Sequence, residues 1–111
     1  MPRFIGQTVI ALALASFALT LSLPARADDA SAKLYQSKCV ACHGADGGGS
    51  TPAGKALNVT AFSDPDVQKE SDADLTAIVA KGKNKMPAYE KSLKAGEIKG
   101  LVAYVREIGK K

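Results

Sequence analysis

Residues 34–43 read Leu-Tyr-Gln-Ser-Lys-Cys-Val-Ala-Cys-His, and the last five decide the reading. Cys39 and Cys42 stand two residues apart, and His43 follows at once. This is the signature of covalent haem attachment. Each thiol can add across one vinyl group of the porphyrin to give a thioether. The two-residue gap sets both sulfurs on one helical turn. His43 then lies where it can offer a ring nitrogen to the iron. The chain has two cysteines and one histidine, all within this pentapeptide.

Other chemistries also use a Cys-x-x-Cys pair. A redox dithiol belongs in a βαβ setting, and no such pattern flanks these residues. A structural zinc site takes four ligands, chiefly Cys and His. With three such residues in the whole chain, zinc would need carboxylates to complete its shell.

The N-terminal stretch fits the same chemistry. Arg3 supplies a positive start, Thr8 to Leu23 is uncharged and mostly apolar, and Pro24-Ala25-Arg26-Ala27 ends in a small-x-small pattern. These are the three parts of a secretory signal peptide. The apolar run is short for a membrane span. Residues 1–27 are therefore expected to be cleaved, leaving 28–111 as one domain that is exported to the periplasm and not embedded in the membrane. Arg3 and Arg26 leave with the signal, taking two of the +4 formal charges. No basic patch interleaved with aromatics suggests nucleic-acid binding.

The remaining aromatics are Phe62, Tyr35, Tyr89 and Tyr104, with no Trp. That is a thin apolar inventory for a domain of this size, and small domains of this kind lean on staples, metals or cofactors. A haem tied at two points would supply the missing core.

The periodicity is helical. Asp28 or Asp29 can cap a first helix running to about Cys42. Gly44, Gly47, Gly48, Gly49, Pro52 and Gly54 read as a loop whose glycines let the backbone pass close to something flat and large. Asp64-Pro65 starts a short helix near 65–70. Ser71 to Asp74 has the capping-box form, ahead of the stripe Leu75, Ile78 and Val79, and Gly82 ends that helix. Ile98, Leu101, Val102, Val105 and Ile108 predict a long amphipathic helix from about 95 to the end. No run alternates as a strand, so the class is all-α.

A six-coordinate iron needs a second axial ligand. Met86 is the one methionine after the signal. It lies in Lys85-Met86-Pro87, beyond the Gly82 helix end, where Pro87 restricts it to extended conformations. The bland alternative is a gap-filling core methionine. A further alternative is an open sixth site suited to gas binding or peroxide chemistry.

Taken in order, these segments resemble the class I c-type cytochromes, especially small monohaem c6-like and c-555-like periplasmic proteins. The resemblance rests on LYQSKCVACHGADGGGSTPAGKAL, SDADLTAIVAKGKNKMPAY and IKGLVAYVREI. It implies four to five short helices around one covalently bound haem c, with the terminal helices crossing at near right angles. It implies that Cys39 and Cys42 are the thioether anchors, His43 the proximal ligand and Met86 the distal ligand. Pro52 resembles the loop proline whose carbonyl accepts a hydrogen bond from the other nitrogen of the ligand histidine. Tyr104 resembles the aromatic at the terminal-helix crossing. Many relatives have glycine where Ser31 stands, which implies a wider crossing here or one shifted to Ala32.

The function expected is electron transfer. The chain is then a monomeric carrier between redox donors and acceptors, not an enzyme, because no catalytic acid, base or nucleophile set is evident. From Lys81 to Lys94 five lysines face a single acid, Glu90. Read as a docking rim, they favour partners with acidic patches; read blandly, they are a solvated loop. The rival function is a haem enzyme or gas sensor with a dissociable Met86.

Overall fold

The computed structural model describes residues 28–110. The expected signal peptide, 1–27, lies outside the described residues. Those residues form six helices, α1 (Asp29–Lys38), α2 (Val40–His43), α3 (Pro52–Ala56), α4 (Pro65–Lys69), α5 (Asp72–Lys81) and α6 (Ala95–Gly109). Among them the only strand-like feature is a single bridge between Lys83 and Met86. No helix among the described residues is long and apolar enough to cross a membrane.

Local chemistry sets the helix starts. Asp28 accepts from the Ser31 N–H at 2.8 Å and opens α1. Ser71 accepts from the Asp74 N–H at 3.0 Å and opens α5. At α6 the Glu97 carboxylate reaches back to the Lys94 N–H at 2.9 Å. Each such cap satisfies a donor that the helix itself leaves unpaired.

Two expectations need correction. The first helix does not run unbroken to Cys42. At Cys39 φ swings to −119°, and the Cys42 N–H bonds the Cys39 carbonyl, three residues back, at 3.3 Å. The tightened turn kinks the chain and makes α2 a separate element. The segment around Pro52 is not all loop. Thr51 accepts from the Gly54 N–H at 2.9 Å and Pro52 takes the first helical position. This is the same cap-plus-proline signal that starts α4 at Asp64-Pro65.

The last helix organises the rest. α6 packs on both α1 and α5 and buries Ile98, Leu101, Val102 and Ile108. Full burial of such side chains stabilises by about 1.5–3 kcal/mol each. The α1–α6 contact is made by small residues. Ser31 is 7% exposed, and a Cβ at Gly100 would overlap its hydroxyl. The crossing is therefore at Ser31 and has not shifted to Ala32; the glycine that permits close approach is on the partner helix. One turn further along both helices, Tyr35 and Tyr104 pack with ring centroids 4.9 Å apart.

Arg106 ties the α4–α5 junction to α6. Its Nε meets Asp72 at 2.8 Å, and its guanidinium donates to the carbonyls of Gln68 and Glu70. Asp72 is 78% exposed, so the ion pair itself is worth only about 0–1 kcal/mol. The bonds to carbonyls set the geometry.

Candidate haem site

The helices border an open cavity of about 510 Å³. This lies within the roughly 300–1,000 Å³ range of cofactor and ligand sites. Cys39, Cys42 and His43 contribute from the α1–α2 side, and Met86 and Pro87 from the loop after α5. Leu75, Ile78 and Val79 form an apolar wall from α5. That helix has no fully buried residue, because its stripe turns toward the cavity and not into a protein core. Leu101, Val102 and Val105 of α6 form another wall.

The kink places the motif. The Cys39 N–H bonds the Tyr35 carbonyl at 2.8 Å, and the His43 N–H bonds the Cys39 carbonyl at 3.0 Å. No disulfide joins Cys39 to Cys42. Burial pushes the Cys39 thiol up to about 11, so at neutral pH it is protonated.

His43 is held neutral: burial lowers its basicity. Its ring stacks on Phe62 with centroids 4.7 Å apart and 26° between planes. Its Nδ1 is buried with no hydrogen-bond partner. The bond expected from His43 to the Pro52 carbonyl is therefore not made here. Pro52 opens α3, is exposed and lies outside the cavity lining.

The glycine loop also differs from expectation. None of its glycines lines the cavity. The close approach they allow is to protein: a Cβ at Gly54 would overlap the carbonyl oxygen of Cys42. The loop serves to press α3 onto α2, with the Gly49 N–H bonding the His43 carbonyl at 2.8 Å.

The methionine loop is tied at several points. The Tyr89 N–H returns to the Val79 carbonyl at 3.1 Å, and the Tyr89 hydroxyl donates to the Lys38 carbonyl at 3.2 Å. Burial raises the Tyr89 phenol above its ordinary value, with smaller contributions from Cys39 and Cys42. Of the basic residues considered as a rim, Lys83 and Lys85 line the cavity, whereas Lys81, Lys91 and Lys94 do not, although all are exposed.

Three aromatics at the cavity were not singled out from sequence as site residues: Tyr35, Phe62 and Tyr89. For Tyr35 a signal existed, since it precedes Cys39 by four residues and so shares its helix face. Phe62 had none.

The lining fits a haem. Two cysteines, a neutral imidazole with a buried, unpartnered nitrogen, and a thioether all border one apolar cavity. His and Met are a recognised axial pair for haem iron.

Residues 26–105 match the family described as cytochrome C oxidase, cbb3-type, subunit III. The chain is 34% identical over 103 residues to cytochrome c6 of Nostoc sp. (strain PCC 7120), covering 88% of this chain and 87% of that protein. It is 36% identical over 100 residues to cytochrome c6 of Synechococcus sp. (strain PCC 6312), with the same shares of 88% and 87%. Cytochrome c6 of Bryopsis maxima is 39% identical over 77 residues, covering 67% of this chain and 83% of that protein. The solved structure of KustC0563, a c-type cytochrome, superposes with a TM-score of 0.65 at 34% identity, covering 70% of this chain and 95% of that one. Motif, cavity and relatives agree: this chain belongs to the small class I c-type cytochromes, whose cofactor is a covalently attached haem c.

Proposed function

We infer that the chain is a single-electron carrier working in the periplasm between redox proteins. The observation that carries this reading is that Cys39, Cys42, His43 and Met86 border the same cavity. In this reading Cys39 and Cys42 would form the thioethers, and His43 and Met86 would hold the iron. When bound, the haem supplies a one-electron ferrous–ferric couple. The protein's part is to bind, orient and exclude water. The walls from α5 and α6 are apolar, and a thioether ligand in such surroundings favours the reduced form and raises the potential. With His43 and Met86 both committed to the iron, substrates would have no route to the metal, and in this reading the chain is a carrier and not an enzyme.

The signal peptide, cleavage after Ala27 and a monomeric state belong to this proposal. Lys83 and Lys85 at the cavity mouth, with Lys81, Lys91 and Lys94 nearby in sequence, would steer the protein to acidic patches on its donor and acceptor. Such steering raises association rates and is screened by salt.

The optical spectrum of the purified mature protein, followed by a potential titration, tests the function. Low-spin bands with the far-red methionine–iron band support the carrier. High-spin ferric bands would favour the enzyme or sensor. No Soret band at all would leave a dithiol protein.

A further inference from the structure

Apart from glycines, two described residues sit in the left-handed backbone region, Asn58 and Asn84, each with φ of 54°. Both line the cavity. This conformation is unfavourable for a residue carrying a side chain, and least so for Asn. It persists where the surrounding structure enforces it.

At Asn84 the cause lies two residues on. The Lys83 N–H donates to the Met86 carbonyl at 3.2 Å, and the Met86 N–H donates to the Lys83 carbonyl at 2.9 Å. A two-residue turn closed by both bonds calls for positive φ inside it. Just before the turn stands Gly82, with φ of 77°. A Cβ there would lie 2.6 Å from the Met86 carbonyl oxygen and 3.0 Å from the Ala88 nitrogen. Gly82 thus lets the Met86 backbone fold back onto the end of α5. Beyond Met86, Pro87 restricts its backbone, and the Glu90 N–H bonds the Ala80 carbonyl at 3.0 Å. The loop is pinned at each end, and the turn at Asn84 fixes where Met86 stands between the pins.

We propose that Asn84 is the positioning residue of Met86: its left-handed backbone closes the Lys83–Met86 turn and so presents the thioether to the iron. This rests on the reading of Met86 as the distal ligand. The backbone angle does the positioning, and the amide group is only the side chain that tolerates that angle. Residues that resist positive φ loosen the turn and free the sixth position to outside ligands. Glycine, which adopts the angle freely, preserves it.

The test is a titration of the ferric holoprotein with imidazole, which competes with Met86 for the iron, alongside the far-red band. Asn84→Val is expected to bind imidazole about tenfold more tightly than wild type and to lose part of the band, whereas Asn84→Gly stays within about twofold. Asn84→Ala falls between them and serves if the valine variant does not mature. Valine or alanine variants indistinguishable from wild type overturn the proposal. So does a glycine variant as weakened as valine, since the amide and not the backbone would then hold Met86. Met86→Ala separates this from the underlying reading. If its imidazole affinity and far-red band match wild type, Met86 is not the ligand, and the site assignment fails whatever Asn84 does.

Discussion

The hydroxyl of Tyr35 donates to the Gly44 carbonyl at 2.6 Å, joining α1 to the residue that ends α2. Tyr35 is 0% exposed, and its ring borders the cavity. One side chain therefore spans the helix kink that carries both cysteines and ties its two sides together.

Removing that hydroxyl takes away one of two donors to the Gly44 carbonyl, which keeps the Gly47 N–H at 3.2 Å, so the loss is that of one hydrogen bond, about 0.5–1.5 kcal/mol. Tyr35→Phe is expected to lower the denaturant midpoint of the holoprotein accordingly, with the haem still attached. The pH dependence has a defined sign. Burial holds the Tyr35 phenol well above its ordinary value of 10.0, so the folded state keeps the neutral form. Its contribution is intact below that ordinary value and falls as pH rises above it, because only the unfolded chain releases the proton. Denaturation from pH 8 to 11 is expected to show a shallower alkaline loss in Tyr35→Phe than in wild type.

Gly100→Ala tests the helix crossing. The added methyl would meet the Ser31 hydroxyl, and overpacking of this kind costs about 1–3 kcal/mol. Thermal unfolding is the measurement. The double variant Ser31→Gly with Gly100→Ala returns the room, and recovery of much of the loss is expected.

Cys39→Ala or Cys42→Ala leaves at most one thioether. Because the α5 stripe packs toward the cavity and that helix buries no residue fully, the haem-free chain is expected to be largely unfolded, and the single-cysteine variants poorly matured. Far-ultraviolet circular dichroism of the haem-free protein checks this. A full helical signal would show that the protein core suffices alone.

Lys83→Glu with Lys85→Glu reverses charge at the cavity mouth. Electron transfer to a physiological partner is expected to slow at low ionic strength, with the potential nearly unchanged. Stopped-flow rates across a salt series measure it. A wild-type rate indifferent to salt would mean that docking rests on apolar residues around the cofactor edge, among which Leu57 is the exposed candidate.

Most of the helices were legible in the sequence because their ends carry local chemistry: Asp28, Asp64, Ser71 and Gly82 each act through residues within one turn. Thr51-Pro52 carried the same kind of signal, but the surrounding glycines masked it. Cys39, Cys42 and His43 stood out as a motif and Met86 as the one methionine after the expected signal, and the structure brings all four to one cavity. The stacking of His43 on Phe62 and the burial of Ser31 against Gly100 depend on residues far apart in the chain. No local pattern encodes those. Pro52 was read by likeness as a loop proline, and it also opens α3.

The wall that α6 gives the cavity has a consequence for the order of events in the cell. The attachment motif is made early in synthesis, whereas Leu101, Val102 and Val105 come near the end of the chain. A nascent or foreshortened polypeptide can thus present both thiols while the chamber still lacks a side. Shielding of the prosthetic group from water is therefore a late event in biogenesis, and a frameshift beyond residue 95 would yield a chain that can be labelled but not sealed.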